Sequence, residues 1–376
     1  MSPLVGAILA VLILGLALRS IKQPYVIGYL LAGIILGPHG INLISDEALI
    51  SRLGAIGVVL LLFFIGMEVS PRKLIDNWKV AVIGTLLQIF ISVGCVWPLG
   101  QYLEWPLSRI VLIGFVISLS STAVVLKLLQ DWKEIDSRVG QNVLVILLAQ
   151  DLAVIPMLII LSMFVSTEGA QTNIWLQLTG AAIMAAIIGY IAVKEKIHLP
   201  LNRLLGDDRE LHVFAALCIC LGLALLTGLA ELSTALGAFV AGIVIGAARE
   251  TQWVHHSLES FRIVFVALFF VSIGMLVDLS FITDHLVQVL ALVVLVIITN
   301  TFINGTILRM LGDSWRDSLY AGTLLSQIGE FSFVLAAVGI QSDIISSYSY
   351  QMTIAIISIS LLVSPVWIKL VKQVLK

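Results

Sequence analysis

Long apolar segments follow one another along this chain of 376 residues, and each is continuous rather than alternating. Charged and turn-forming residues separate thirteen of them, at about 3–19, 24–40, 54–69, 79–103, 107–130, 140–164, 174–193, 210–229, 234–248, 262–277, 285–309, 317–341 and 347–371. Such runs suit helices that cross a bilayer, and their continuity disfavours the alternating strands of a barrel. Hydrophobic residues make up 60% of the chain and charged residues only 12%, which excludes a soluble protein. The sequence therefore predicts an all-α integral membrane protein with thirteen transmembrane helices.

The basic residues test this count. With thirteen spans the termini lie on opposite faces, and 18 Lys and Arg residues then fall on one face. Arg52 and Arg109 fall on the other face, while Arg262 lies at a membrane edge. Basic residues concentrate on the cytoplasmic side of a membrane. We therefore expect a multi-pass protein of the inner (plasma) membrane, with the N-terminus outside and the C-terminus in the cytoplasm.

Two parts of the sequence repeat at a nearly constant spacing. Residues 28–37 (GYLLAGIILG) recur as residues 237–246 (GAFVAGIVIG), 209 positions later, and the pair GM at 66–67 recurs at 274–275, 208 positions later. Seven spans separate the copies, and an odd number gives them opposite orientations across the membrane. Such an inverted repeat is typical of secondary transporters, whose substrate site lies near the midplane. Close helix packing is the alternative explanation for the small residues.

One carboxylate lies in the middle of an apolar span: Asp151, which follows Gln150 in segment 140–164. Placing an aspartate there costs roughly 3 kcal/mol on insertion scales. The acid is therefore either a satisfied structural group or a group that meets an ion in a water-filled cavity. We favour ion binding, because ionisable residues at this depth usually mark an ion or proton pathway.

Two other spans carry polar interruptions at matching positions. The fifth contains SLSST at 118–122, and the twelfth contains SQIGE at 326–330, 208 positions later. Hydroxyl groups can satisfy the backbone where a helix unwinds, and Gly329 favours a break. We expect two broken helices, with Glu330 balancing the positive ends of half-helices. Hydrogen bonding of the serines back to intact helices is the alternative.

The polar side chains of these spans give a candidate site. Oxygen atoms of Ser118, Ser121 and Thr122 could complete the coordination of a monovalent cation at Asp151, beside Gln150. Supporting roles are expected for the other polar groups at membrane depth, which are Asn142, Asn300, Gln327 and Glu330. The amides among them could instead be packing groups with satisfied hydrogen bonds.

Other reactive residue types give no further site. Cys95, Cys218 and Cys220 lie in apolar segments without the spacing of metal ligands. No H-E-x-x-H motif and no nucleophile–histidine pair occurs at membrane depth. We therefore expect neither an enzyme nor a bound cofactor, and no nucleic-acid partner.

The stretches that carry these features resemble the cation:proton antiporter-2 family, and within it the Kef-type potassium:proton antiporters. They occur in order through nearly the whole chain, as GYLLAGIILGP at 28–38, LLFFIGME at 61–68, SLSSTA at 118–123, QDLAVIP at 150–156, FR at 261–262, LFFVSIGM at 268–275 and LSQIGEF at 325–331.

The resemblance implies a homodimer in the lipid bilayer, built from two kinds of domain. Residues 1–78 and 201–282 would form the dimerisation domain. Residues 79–165 and 283–376 would form a mobile core domain, in which spans five and twelve are broken and cross, and residues 166–200 would link the two. A cytoplasmic nucleotide-binding regulatory domain would attach after Lys376.

The resemblance also assigns roles to core residues. Asp151 would bind the cation and the proton in turn, and Gln150 takes the place of the first acid in the paired aspartates of charge-moving relatives. Asn300 stands where many relatives carry a basic residue. With one acid at the site, we expect electroneutral exchange of one K⁺ for one H⁺ by alternating access of the core. A Na⁺/H⁺ antiporter of the same fold and a gated cation channel are the alternatives.

Overall fold

The computed structural model describes residues 9, 13, 25–43, 47–68, 78–164, 174–194, 197, 209–230, 234–248 and 252–375. These residues form helices joined by turns. The described part of the chain contains no β-strand, only one isolated β-bridge between Ile197 and Ala248. The predicted all-α class is confirmed. The first predicted segment, 3–19, lies outside the described residues apart from Leu9 and Ile13.

The described helices follow the predicted segments closely, with two segments each divided in two. In chain order they are α1 Tyr25–Leu36, α2 Glu47–Glu68, α3 (a π-helical start Lys79–Gly84 continued by Thr85–Tyr102), α4 Leu107–Ser118, α5 Thr122–Asp131, α6 Arg138–Met163, α7 Ile174–Lys194, α8 Arg209–Leu229, α9 Thr234–Ala247, α10 Gln252–Met275, α11 Leu279–Asp284, α12 Leu286–Met310, α13 Trp315–Leu324, α14 Phe331–Gln341 and α15 Ser347–Val374.

Five of the described helices are long and apolar enough to cross a membrane alone, namely Lys79–Tyr102, Arg138–Leu161, Glu210–Leu229, Leu286–Met310 and Ser347–Val374. Shorter apolar helices include Leu107–Ser118 and Phe331–Gln341, which belong to the divided segments. A half-helix is too short to span the bilayer by itself, so the number of transmembrane spans cannot be obtained from helix lengths alone. The number thirteen stays a prediction.

The chain forms two compact units. One contains residues 1–45, 73–157 and 273–376, and the other contains residues 46–72 and 158–272. The first unit holds Asp151 and both divided segments. These units do not decide the predicted division into dimerisation and core domains, which stays a prediction.

Each unit has its own apolar core. In the second unit, α2 packs on α8 and α9 through Phe63 and Phe64. In the first unit, one cluster joins α5, α6, α12, α13 and α15 through buried Val125, Leu129, Val143, Ile146, Leu147, Leu308, Ala321, Leu324, Leu325 and Ile368. This cluster holds one half of each divided segment against the helix that carries Asp151.

The polar clusters end the helices where the sequence predicts breaks. Helix α4 ends at Ser118, and extended backbone at Leu119 and Ser121 separates it from α5. The Ser121 hydroxyl caps α5 by accepting a hydrogen bond from the amide of Val124 at 3.3 Å. Six residues, 325–330, separate α13 from α14. Both predicted breaks are confirmed.

Candidate ion-binding site

The two breaks lie against each other. The amide of Gly329 donates to the carbonyl of Leu119 at 2.8 Å, and the Ser120 hydroxyl donates to the carbonyl of Leu325 at 2.8 Å. A Cβ atom on Gly329 would lie 2.4 Å from the carbonyl oxygen of Ser120, so only glycine permits this approach. The divided segments therefore cross at their breaks, as the resemblance implies.

Asn300 of α12 ties together the C-terminal ends of two half-helices. Its side-chain Nδ2 donates to the carbonyl of Ile117 in α4 at 2.9 Å and to the carbonyl of Ser326, just past α13, at 3.3 Å. The side chain is fully buried. Helix C-termini carry partial negative charge, and an amide N–H offsets part of it. Asn300 thus stabilises the ends of two half-helices, and its correspondence to the basic residue of relatives stays a prediction.

Asp151 lies in the middle of α6 and is 7% exposed. The hydroxyl of Thr122, the first residue of α5, donates to the two carboxyl oxygens at 3.3 and 3.2 Å. Thr122 therefore joins the acid to the half-helix that begins at the first break. Among the hydroxyl groups predicted to bind the cation, and within the described residues, the Thr122 hydroxyl is the one that forms a hydrogen bond with Asp151.

Gln150 bridges the first break. Its Oε1 accepts from the amide of Ser120 at 2.9 Å, and its Nε2 donates to the carbonyl of Ser118 at 3.2 Å. The Nε2 also donates to Oε1 of Gln88 in α3 at 2.6 Å. One side-chain amide therefore satisfies the backbone on both sides of the interruption. The structure places Gln150 at the break, and Asp151 beside it.

The other two hydroxyl groups of the predicted site have local partners. The Ser118 hydroxyl donates to the carbonyl of Phe115 at 2.8 Å, within its own helix. The Ser121 hydroxyl is the cap of α5. The Ser118 carbonyl accepts a hydrogen bond from Gln150, and Ser121 directly precedes Thr122. The roles of Ser118 and Ser121 as cation ligands stay predictions.

Two residues of the second break are buried polar groups. Glu330 is 9% exposed and directly precedes α14. A carboxylate that precedes a helix is stabilised by the partial positive charge of the helix N-terminus. Gln327 is fully buried, and within the described residues neither of its amide atoms has a hydrogen-bond partner.

Asn142 lies apart from this group. Its Nδ2 donates to Asp313 Oδ2 at 2.7 Å, and Arg138 forms an ion pair with Asp313 Oδ1 at 2.6 Å. The cluster joins the first turns of α6 to the turn between α12 and α13. Asn142 thus supports the position of α6 at its end, nine residues before Asp151.

Sequence reasoning did not select Gln88 or Ser120 as site residues. Gln88 stands inside the apolar run LLQIF at 86–90, and a lone amide in such a run was the available signal. Ser120 belongs to the predicted SLSST stretch, but its neighbours were chosen. Residue types in one helix do not say which neighbouring helix each side chain meets.

Comparison with known proteins gives consistent matches. Residues 6–373 match the family described as sodium/hydrogen exchanger, transmembrane. The chain is 36% identical to the iron transporter MagA of Paramagnetospirillum magneticum over 96% of its own length and 83% of the relative's. It is 32% identical to K(+) efflux antiporter 4 of Arabidopsis thaliana, covering 99% of this chain and 64% of that one. It is 29% identical to the glutathione-regulated potassium-efflux protein KefC of Klebsiella pneumoniae, covering 98% and 59%.

The chain thus spans less than two thirds of the two potassium-efflux relatives. Among solved structures, the sodium proton antiporter MjNhaP1 from Methanocaldococcus jannaschii matches with a TM-score of 0.72 and 15% identity. The match covers 100% of this chain and 98% of that one. It shows that the two proteins share a fold.

Proposed function

This chain belongs to the transmembrane sodium/hydrogen exchanger family, and on that basis we propose that it is a secondary active antiporter that exchanges a monovalent cation for a proton. The observation that carries the proposal is the place of Asp151. A buried carboxyl in the middle of an apolar helix lies beside two crossing helix breaks and accepts a hydrogen bond from Thr122. Backbone at membrane depth is left unwound only where it is buried in protein or lines a path for solvent or ions.

Exchange needs two ligands that compete for one group. An ionised Asp151 attracts a cation, and a protonated Asp151 releases it, so that the two occupy the carboxyl in turn. The Thr122 hydroxyl can turn its oxygen towards a bound cation, and carbonyl oxygens at the breaks can replace part of its hydration shell. We assign Gln150 to holding the first break and Asp151 to binding the ion.

Electroneutral exchange follows if only Asp151 changes its charge. Gln150 is neutral, and Glu330 lies at the positive end of α14, where a carboxylate is stabilised. We assign Glu330 a charge that persists through the cycle. One cation then replaces one proton, and the charge of the site is the same in both loaded states.

Alternating access is supported by a contact that occurs twice. A Cβ on Gly66 would lie 2.3 Å from the carbonyl of Phe239, and a Cβ on Gly274 would lie 2.2 Å from the carbonyl of Leu30. Gly274 follows Gly66 by 208 positions, and Phe239 follows Leu30 by 209. The same close approach is thus built from both copies of the repeat, which favours an inverted repeat with the site between its halves.

We favour K⁺ as the exchanged cation, because the Arabidopsis and Klebsiella relatives are named for potassium efflux. The Paramagnetospirillum relative is named for iron and the Methanocaldococcus structure for sodium, so both ions belong in the test. We further propose a homodimer with a core that moves against the dimerisation domain, the N-terminus outside the cell, and regulation by a domain attached after Lys376.

The test is exchange by the purified protein in proteoliposomes that contain a pH-sensitive dye. Pulses of K⁺, Na⁺, Rb⁺, Li⁺ and Fe²⁺ across a pH series should give saturable proton movement, with K⁺ most effective. Asp151→Asn keeps the shape of the side chain but cannot ionise, and should abolish the response. Asp343→Asn is the matched control, because Asp343 is an exposed turn residue with φ 54° after α14, where asparagine is equally well tolerated, and exchange should persist.

Three results would overturn parts of this proposal. Exchange that persists in Asp151→Asn would remove the assignment of that acid. A large cation-driven current in the wild-type protein would exclude the electroneutral cycle. Single-channel conductance without coupled proton movement would favour a gated cation channel.

A further inference from the structure

Gln88 is a buried amide that ion binding at Asp151 does not use directly. It lies on the inner face of α3 and is 1% exposed. Its Oε1 receives a hydrogen bond from Gln150 Nε2 at 2.6 Å, the shortest contact that either amide makes among the described residues. Thr85 and Ser92 are buried on the same face, about one turn away on either side.

The backbone at the first break fixes the orientation of the Gln150 amide. The N–H of Ser120 can only donate, so the atom that faces it must be Oε1. The carbonyl of Ser118 can only accept, so the atom that faces it must be Nε2. A side chain turned by 180° would place donor against donor and acceptor against acceptor.

Gln88 supplies the remaining partner for this orientation. The Nε2 of Gln150 carries two hydrogens, and it has three acceptors within reach: Gln88 Oε1 at 2.6 Å, the Ser118 carbonyl at 3.2 Å and the Ser120 hydroxyl at 3.4 Å. Without Gln88 Oε1, the second hydrogen has only the long contact to the Ser120 hydroxyl, and a weakened hydrogen bond in a low-dielectric environment is costly. The orientation of the Gln150 amide that satisfies the backbone of the first break is then less strongly favoured over other orientations of that side chain.

We propose that Gln88 is a positioning residue of the exchange site, which acts through Gln150 to hold the first break so that Thr122 stays at Asp151. The inference rests on the proposed function. Gln150 spans Ser118 to Ser120, and Thr122 begins the half-helix two residues further on. A break that is not held moves the Thr122 hydroxyl away from the carboxyl and weakens cation binding. The reaction itself needs no atom of Gln88.

The expected effect is on cation affinity. Gln88→Met keeps the length of the side chain and removes the acceptor, and should raise the KM for the cation roughly three- to tenfold, the equivalent of one net hydrogen bond. The maximal rate should stay within about twofold of the wild type, since Asp151 still ionises. Gln88→Glu retains an acceptor at the same position and should return the KM towards the wild-type value.

The experiment measures cation KM and maximal rate in proteoliposomes for wild type, Gln88→Met, Gln88→Glu and Ser92→Ala. Ser92→Ala is the matched control, because it removes a polar group from the same buried face without a bond to Gln150, and its KM should equal that of the wild type. Gel filtration and the melting temperature in detergent establish that each variant is folded.

The outcomes separate this inference from the function on which it rests. If the wild type does not exchange, or Asp151→Asn does, the proposed function fails. If both behave as expected but Gln88→Met has the wild-type KM, the positioning role alone is overturned. If Gln88→Met does not fold, Gln88→Glu decides: a wild-type KM supports the role, and a raised KM overturns it. An equal rise in Ser92→Ala would also overturn it, since any polar loss on that face would then suffice.

Discussion

Asp151 and Gln150 are neighbours in the sequence, yet their side chains meet different partners. Successive residues of a helix point about 100° apart, so one side chain reaches the first break and the other reaches Thr122. The apolar context of Asp151 made the burial of its side chain predictable from the sequence, whereas its role in ion binding stays a prediction. The bridging role of Gln150 was not predictable, because it depends on the backbone of another helix.

Thr122→Val tests the hydrogen bond between Thr122 and Asp151. Valine has nearly the shape of threonine but cannot donate to Asp151, so the carboxylate loses its hydrogen bond. We expect the KM for the cation in proteoliposomes to rise roughly three- to tenfold. Thr353→Val is the control, because the Thr353 hydroxyl donates only to Ser349 in its own helix. A KM that is unchanged in Thr122→Val would contradict the assignment of Thr122.

Asn300→Leu tests the hydrogen bonds that Asn300 donates to the ends of two half-helices. The substitution removes the amide that donates to the carbonyls of Ile117 and Ser326, and leaves both without this donor in the buried centre. We expect it to destabilise the protein by about 1–3 kcal/mol, seen as a lower melting temperature in detergent. Asn300→Lys supplies an ammonium donor and should recover part of the loss. A wild-type melting temperature in Asn300→Leu would show that these bonds contribute nothing.

At the scale of helices, the sequence predicted the breaks but not their contacts. The matching clusters at 118–122 and 326–330 gave the positions of both interruptions to within a few residues. They could not show that Ser120 meets Leu325 or that Ser332 donates to Val116 at 2.7 Å. A pattern in one helix gives its own interruptions, whereas a crossing depends on the packing of two.

Gly329→Ala tests the crossing of the two breaks. The added methyl would lie 2.4 Å from the carbonyl oxygen and 2.6 Å from the carbonyl carbon of Ser120, and backbone atoms cannot turn away as a side chain can. The breaks must then separate, at a cost of about 1–3 kcal/mol or more. We expect a lower melting temperature and a loss of exchange.

Gly94→Ala is the control for that experiment. No described residue lies within 4 Å of a Cβ on Gly94, which is exposed within α3. Alanine also favours a helix over glycine by about 1 kcal/mol, so the melting temperature should be unchanged or higher. If Gly329→Ala behaves like this control, the close approach of the breaks is not needed for the fold.

For the whole molecule, the succession of apolar segments predicted the fold class better than any single motif did. The run of apolar segments gave the all-α membrane class, and the family match and shared fold agree with it. The division into two compact units was not predictable from the sequence, because the boundary at residues 157–158 falls inside the continuous helix α6. No change in composition marks a boundary of that kind, since both sides of it are equally apolar.

The proposed repeat makes a prediction about its two copies together. Gly66 and Gly274 would be equivalent positions, and a Cβ on either would lie 2.9 Å from the Cα of another glycine, Gly242 or Gly33. If both copies are built alike, Gly66→Ala and Gly274→Ala must disturb equivalent helix contacts. Small residues at such contacts let membrane helices approach closely, and van der Waals packing there is a main source of association.

We expect each substitution to destabilise the protein by about 1–3 kcal/mol, and the two melting temperatures in detergent to fall by similar amounts. Gly222→Ala in α8 is the control, since no described residue lies within 4 Å of a Cβ at that glycine, and it should melt like the wild type. A large fall for one repeat glycine beside a wild-type melting temperature for the other would contradict equivalent construction. The close approach would then be a local packing feature of one helix pair, and the alternating-access proposal would lose its support from the repeated contact.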